Sequence, residues 1–429
     1  MSSSRRPAAR VPRHSRRIRR HGALRLVATV LVGALTFVGG GAFAVYTNFA
    51  SNVGGGLDLE AMRTEAPVQP DPEDGPTTEA PPTDPRAGQA INIVLIGSDS
   101  RDGENLAIGG GEEGGARSDT TLLVHVAADR SRVEAVSIPR DLLTAIPACP
   151  LDQDNLERTS GRQSSAMFNS AFSTGAAQGD VHLGAYCTAL TVEGLTGLTV
   201  DEYAVVDFAG FQRMVDTIGG VPMCIPEPIV DPRSDLDLAA GQQTLDGQQA
   251  LGLARARKIA GSDGSDIQRI DRQQELLAAV VRQVLSKNVV TDIKPLLDFL
   301  DAVTDSLSVS SGLANLMNLA GLATSLGSVG AGGVTFVTMP FDYAGARVVE
   351  NGLSEQLWER LRNDEPIVTP EPEPEPPVVA DPGAPETPVE GEGDPGAQPP
   401  VEETPDPEPT ETPTQDPWTV VRGTDETIC

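Results

Sequence analysis

Two adjoining segments carry the residues best suited to act on phosphate. In Leu253-Ala254-Arg255-Ala256-Arg257 two guanidiniums stand two residues apart, and Asp266-Ile267-Gln268-Arg269-Ile270-Asp271-Arg272-Gln273-Gln274 follows after a short polar stretch. Read as an extended strand, the first segment puts Arg255 and Arg257 on one face. The second reads as a helix capped by Ser265 or Asp266 and running to about Ser286. On it Arg269, Arg272 and Gln273 share one side, and Ile270, Leu277, Val280, Val281 and Val284 cover the other. A strand and the next helix can then aim several arginines at one point. Planar forks that are always charged suit phosphate and pyrophosphate. The plain alternative is a set of surface ion pairs with the many carboxylates of the chain.

A second polar cluster lies far upstream. Ile91 to Ile96 is a continuous apolar run, as in a strand covered on both faces. It ends in Gly97-Ser98-Asp99-Ser100-Arg101-Asp102, a turn at the position where α/β sheets commonly carry sites. A glycine-rich loop leads to Ala116-Arg117-Ser118-Asp119-Thr120-Thr121 and a strand from Leu122 to Val126. A third strand, Val133 to Ile138, ends in Pro139-Arg140-Asp141. Asp99 and Asp119 at such strand ends could hold one Mg²⁺, a hard ion that takes oxygen ligands and shares its shell with substrate phosphates. Taken singly, each aspartate also reads as a turn or cap residue.

These residues need a scaffold, and the rest of the chain supplies one between two biased ends. The protein has 429 residues and a formal net charge of −29. The first twenty residues hold eight arginines and no acid. Residues 24–46 are apolar or small apart from Arg25, Thr29 and Thr36, long enough to span a bilayer as one helix. The arginine excess before them places residues 1–23 in the cytoplasm. A cleaved signal peptide is the rival reading, with Ala42-Phe43-Ala44 as its small-residue site. Either way the remainder lies outside the membrane, on the extracellular side. Residues 47–88 read as a disordered linker, opened by Gly54-Gly55-Gly56 and dominated by Pro, Thr, Glu and Asp from Glu65 to Pro85, and 364–429 as a tail that is low-complexity Pro, Glu, Thr and Asp from Asp364 to Pro417. Trp418, Val420 and Val421 form a short apolar segment that could dock back on the core. The acidic balance argues against a nucleic-acid partner.

Residues 89–363 alternate strand and helix patterns, which indicates one three-layer αβα domain with a mixed central sheet. Beyond the strands above, strands are expected at Tyr203–Phe208, Val221–Ile225 and Val334–Met339. Helices are expected at His182–Leu195, Phe211–Ile218, Ile293–Leu307, Ser311–Leu326 and Val348–Leu361, a loop at 152–166, and a loop or hairpin at 231–245. Four cysteines, Cys149, Cys187, Cys224 and Cys429, fit an oxidising compartment. Cys149 with Cys187 is the favoured pair, the other pairings staying open.

The ordered series of motifs resembles the LytR–CpsA–Psr family of bacterial cell-envelope proteins. The matching residues include Gly97-Ser98-Asp99-Ser100-Arg101, Ala116-Arg117-Ser118-Asp119-Thr120, Pro139-Arg140-Asp141, Asn169-Ser170-Ala171-Phe172, Ile218-Gly219-Gly220-Val221, Arg255-Ala256-Arg257 and the Asp266, Arg269, Arg272, Gln273 set. The resemblance implies a Mg²⁺-dependent phosphotransferase that moves an anionic glycopolymer from a polyprenyl-pyrophosphate carrier onto peptidoglycan. It implies Asp99 and Asp119 as metal ligands. Arg101, Arg117, Arg140, Arg255, Arg257, Arg269, Arg272 and Gln273 would hold the pyrophosphate, with Arg140, Arg255, Arg257, Arg269 and Asp266 closest to the chemistry. Two positions depart from the family pattern: many members have lysine where Met167 stands and tyrosine where Leu253 stands. Candidates for the base are Asp102, Asp141, Asp266 and Asp271, with His125 disfavoured by its mid-strand place. A phosphohydrolase acting on the same carrier, and a non-catalytic anchored binding or regulatory protein, are the competing readings.

Overall fold

The computed structural model describes residues 56–64, 84–99, 105–108, 117–256, 266–286, 307–368, 418 and 420–422. Segments 1–23 and 24–46 lie outside these residues. Among the described residues no helix is long and apolar enough to cross a membrane.

A seven-stranded mixed sheet organises the chain. Its strands are β1 (Ile91–Ser98), β2 (Ser118–Val126), β3 (Val133–Ser137), β4 (Glu202–Val206), β5 (Leu307–Val309), β6 (Val334–Thr338) and β7 (Val420–Arg422), in the order β5-β4-β1-β2-β3-β6-β7. β1 runs parallel to β4, with Leu95 opposite Ala204, and antiparallel to β2, with Leu95 opposite Leu122. β3 runs antiparallel to β2 and parallel to β6, with Ser137 opposite Thr338. The end of β1, the start of β2 and the end of β3 therefore meet at one end of the sheet, which gathers Asp99, Asp119 and Arg140.

The helices are α1 (Leu59–Thr64), α2 (Val181–Thr196), α3 (Phe208–Thr217), α4 (Gly247–Arg255), α5 (Asp266–Ser286), α6 (Leu316–Ser325) and α7 (Gly352–Arg362). Alternation along the strands decides which cover which face. Val94, Ile96, Leu123, Val136 and Val337 point to one side and meet Leu183 and Tyr186 of α2 and Trp358 of α7. Val124, Ala135 and Phe336 point to the other side and meet Leu277, Ala278 and Val281 of α5. On that second side Leu95 and Ala204 meet Leu319 of α6. The result is the expected pair of helical layers around a mixed sheet. A further apolar cluster beside the sheet joins Val215, Val221, Met223, Leu236, Leu238, Leu245, Leu253 and Leu276.

Several expectations are corrected. Leu253 to Arg255 is the last turn of α4, not a strand. Asp246 accepts from the Gln249 amide at 2.8 Å while the Gln249 side chain accepts from the Asp246 amide at 3.1 Å, a capping box that starts a helix at Gly247. Val221–Ile225 is a strand outside the central sheet, paired with Gly241–Leu245. Gln163–Met167, read as loop up to residue 166, is a strand that pairs with Leu143–Ile146. Leu307 opens β5 instead of closing a helix, and 293–306 lie outside the described residues. The Ser311–Leu326 helix is broken at Asn315, whose side chain caps α6 by accepting from the amides of Met317 and Asn318. Val348 belongs to a hairpin, Asp342–Ala344 with Arg347–Val349.

Both biased ends also contribute to the core. Leu57 and Leu59, within the stretch read as linker, are buried. From the tail, Trp418 is buried with its indole donating to the Ile367 carbonyl at 3.2 Å, and β7 extends the sheet antiparallel to β6. Cys149 and Cys187 are joined, their Cα atoms 5.3 Å apart.

Candidate functional site

A cavity of about 800 Å³ opens at the sheet end where β1, β2 and β3 meet. Asp99, Arg117, Asp119, Arg140, Arg255, Arg269 and Gln273 all line it, although they come from five separate stretches of chain.

Backbone geometry fixes the carboxylate side. A register irregularity between Gly97 and Ser98 shifts the pairing, so that Ser98 faces Ser118. The Asp99 side chain then accepts from the Arg117 amide at 2.6 Å, and the Asp99 amide donates to the Arg117 carbonyl at 3.0 Å. Asp119, one residue into β2, accepts from Arg140 at 3.0 Å. Asp141 sits 3.9 Å from the Arg140 guanidinium and accepts from Arg347 at 3.2 Å. Carboxylates and guanidiniums thus alternate along one wall.

The opposite wall is α5. Gln274, 2% exposed, donates to the Ser137 hydroxyl at 3.0 Å and the Thr338 hydroxyl at 2.9 Å, which fastens α5 across the ends of β3 and β6. Gln273 bridges two walls, accepting from Thr120 at 3.1 Å and donating to the Ala254 carbonyl at 2.9 Å. Arg269 is buried beside it, 3% exposed. Below them Leu276, Leu277, Val280 and Val284 line the same cavity. The division expected around the helix is not kept: Leu277, Val280 and Val284 lie on the same stripe as Arg269 and Gln273, and the change from charged to apolar runs along the helix instead. From Arg269 to Val284 one stripe passes from charged to apolar over about 22 Å at 1.5 Å per residue. Phe211, Met214 and Val215 of α3, with Ile218 at its C-terminal cap, line the cavity with it.

Arg255 closes the polar end from α4. Its guanidinium donates to the Ile108 carbonyl at 3.0 Å and lies over the Phe208 ring at 4.6 Å. Arg272 departs from the expectation: it does not line the cavity, and its guanidinium donates to the Ala256 carbonyl at 2.7 Å, tying α5 to the end of α4. Burial pulls its pKa below the usual arginine range. Arg101 and Arg257 lie outside the described residues, as does the side chain of Asp266, whose backbone opens α5. Of the candidate bases, Asp141 lines the cavity and Asp271 does not. Asp102 lies outside the described residues. His125 is buried mid-strand between Asn92 at 2.8 Å and Asp364 at 3.1 Å, so it serves structure.

Sequence reasoning missed two lining arginines, Arg233 and, beside Asp141, Arg347. The latter stands at the boundary of a segment read as a helix, and only the hairpin turn at Gly345 brings it back over Asp141. Asn105 was missed as well. It donates to Asp207 at 2.8 Å and accepts from the Ala209 amide at 2.9 Å, holding the start of α3.

Among the described residues no group of three or more histidine, cysteine, aspartate or glutamate side chains is arranged to hold a metal ion. Asp99 and Asp119 nevertheless fit a hard divalent cation, because such an ion is often held by one or two carboxylates and completes its shell from substrate phosphate and water.

The sheet, its two helical layers and the amphiphilic cavity define an α/β protein whose cavity lining combines charged side chains with an apolar stripe. The chain belongs to the LytR_cpsA_psr family, whose model matches residues 61–365. It is 32% identical over 275 residues to the cell wall biosynthesis protein LcpA of Corynebacterium glutamicum, covering 59% of this chain and 50% of that protein. It is 27% identical over 281 residues to the polyisoprenyl-teichoic acid–peptidoglycan teichoic acid transferase TagT of Bacillus subtilis, covering 64% of this chain and 76% of that one. The chain thus spans about half the length of its corynebacterial relative. A solved structure of the Streptococcus agalactiae protein gbs0355 shares the fold, with a TM-score of 0.50, 20% identity, and coverage of 64% of this chain and 87% of that one.

Proposed function

We propose that this protein is a phosphotransferase of cell-wall assembly. It takes an anionic glycopolymer from a polyprenyl-pyrophosphate carrier and joins it to peptidoglycan through a phosphodiester. One observation carries the reading: a single cavity is lined by six arginines and five aspartates on the one hand and by an apolar stripe of α3 and α5 on the other. A lipid-linked pyrophosphate has the same two halves.

In this reading the acceptor hydroxyl attacks the phosphorus that bears the glycan. A new P–O bond forms, the pyrophosphate P–O bond breaks, and prenyl phosphate leaves. Phosphoryl transfer needs alignment and charge neutralisation more than covalent help. Arg117, Arg140, Arg255 and Arg269 would neutralise the phosphates, and the ion pair with Asp119 keeps Arg140 in place. Gln273 positions the α5 wall against β2. Asp141, held by Arg347, is the carboxylate set to accept the hydroxyl proton. Mg²⁺ would be held by Asp99 and Asp119, where it would draw charge from phosphate oxygens. Residues 24–46 would anchor the chain with its N-terminus in the cytoplasm and the domain on the extracellular side.

The test is an assay of the full chain in membranes with a polyprenyl-pyrophosphoryl glycopolymer and peptidoglycan fragments, with and without Mg²⁺. Phosphodiester-linked product that needs the protein and the metal is the expected result. Free phosphorylated glycan without product on peptidoglycan would make the protein a hydrolase, and a folded, lipid-free, inactive chain would make it a binding module.

A further inference from the structure

Between Asp305 and Asp342 the sequence carries no charged side chain, in a chain whose net charge is −29. The described part of this stretch contains β5, the short helix Ser311–Ala314 and α6. It is not all interior. Met317 is 56% exposed, and Ala323 and Thr324 of α6 are exposed as well. Charge keeps protein surfaces soluble, so an uncharged exposed helix on a strongly acidic protein calls for a partner other than water.

The segment that follows the expected membrane span is fastened to this same region. The Leu57 amide donates to the Tyr203 hydroxyl at 3.0 Å, and the Leu57 carbonyl accepts from the Ser311 amide at 3.1 Å. Leu57 and Leu59 are buried, and Arg63 pairs with Glu193 of α2. A Cβ at Gly56 would stand 2.0 Å from the Val309 carbonyl oxygen, so only glycine lets the chain pass here. Nine residues, 47–55, separate Gly56 from the end of the apolar segment, and fully extended they reach about 30 Å. Among the described residues the chain first meets the domain at the edge strand β5, where the uncharged face begins, and Leu57 and Leu59 then pack on the α2 side of the sheet.

The same face adjoins the cavity. Leu307 of β5 and Leu95 of β1 both line it, and both belong to the apolar cluster that includes Leu313 and Leu319. At the border of the face the charges are paired: Asp84 accepts from Ser325 at 2.8 Å and pairs with Arg130 at 2.9 Å, and Arg86 pairs with Asp201 and with Glu202.

We propose that the uncharged face built from residues 307–325 rests on the lipid bilayer, so that a carrier lipid enters the cavity past Leu307. The contact rests on residues 24–46 spanning the membrane, and the entry route rests on the transferase reading.

The contact can be measured without any transfer activity. The full chain is placed in nanodiscs of phosphatidylcholine brominated on its acyl chains, and the fluorescence of Met317→Trp is compared with that of Tyr343→Trp and of the parent. The parent tryptophans, Trp358 and Trp418, are buried. Tyr343 is 68% exposed, and its neighbour Phe341 packs on the opposite side of the sheet. Quenching of the indole introduced at 317 and not of the one introduced at 343 is expected. Equal quenching at both, or none at 317, overturns the contact. For the route, Met317→Asp should raise the KM for a bilayer-borne donor about tenfold, leaving turnover of a short-chain donor in detergent unchanged. Equal loss with both donors, or no change with either, contradicts it.

Discussion

The two ends of the cavity are built on opposite plans. At the polar end charged groups are held by the protein itself: Asp99 by the Arg117 amide, Arg140 by Asp119, Arg347 by Asp141, Arg255 by the Ile108 carbonyl. At the other end Phe211, Met214, Leu277, Val280 and Val284 present only apolar surface, offered by two helices with no directional bond to a ligand. The difference assigns the work. The polar end aligns and neutralises, where a displacement of an ångström matters. The apolar end holds by area and tolerates variation in what it holds. Damage to one should appear in turnover, and damage to the other in affinity.

The largest effect is expected at the polar end. Asp119→Ala and Arg140→Ala should each lower turnover about 10²–10³-fold, as the loss of one preorganised group facing developing charge does. Steady-state kinetics would check this, and a change confined to KM would break the division of labour. Next comes the support of that end. The Cys149–Cys187 bridge closes a separation of 38 residues near the hairpin that carries Met167. Cys187→Ser should cost about 3 kcal/mol of stability in chemical denaturation, with little change in KM for the donor at temperatures where the protein stays folded.

A smaller effect is expected from the apolar end. Val280→Ser should raise KM for a long-chain donor up to about tenfold through lost apolar burial, with turnover and short-chain donors hardly affected. Equal effects on long and short chains would show that the prenyl chain lies elsewhere. The smallest effect lies outside both ends. Burial holds the carboxyls of Glu134 and Glu202 above the usual carboxylate range. A folded-state pKa that is raised means the native state binds the proton more tightly, so this stability is present at low pH and lost as pH rises through the raised values. Glu202→Gln should flatten that part of the stability–pH curve and leave both kinetic parameters alone.

The polar end was the more legible of the two in sequence, because short motifs at strand ends mark it. Asp99 and Arg140 follow apolar runs that reveal strands, Arg117 and Asp119 precede one, and antiparallel neighbours must bring alternate ends together. The Arg255 segment misled because two arginines at spacing two fit a strand, while the capping box at Asp246 and Gln249 outweighs that local pattern. Arg272 looked equivalent to Arg269 by helical spacing. Only tertiary packing against Ala256 separates them. Arg347 could not be found from periodicity, since a three-residue strand beside a turn leaves too few positions to read. The apolar end was half legible: Leu277, Val280 and Val284 were named as a face but set opposite the arginines, although their spacing from Arg269 places them on its own stripe. The buried Leu57 and Leu59 were hidden in a stretch read as linker, whereas the docking of Trp418 was legible as an apolar segment within an acidic tail.

The division between the two ends is tested most directly by photocrosslinking the full chain in membranes with a pyrophosphate carrying a photoreactive group at the far end of its prenyl chain, and mapping the adducts by mass spectrometry. Adducts on α3 and α5, within Phe211–Ile218 and Leu276–Val284, that vanish with excess unmodified carrier are the predicted result. Adducts confined to other surfaces, with those two segments unlabelled, would contradict the account.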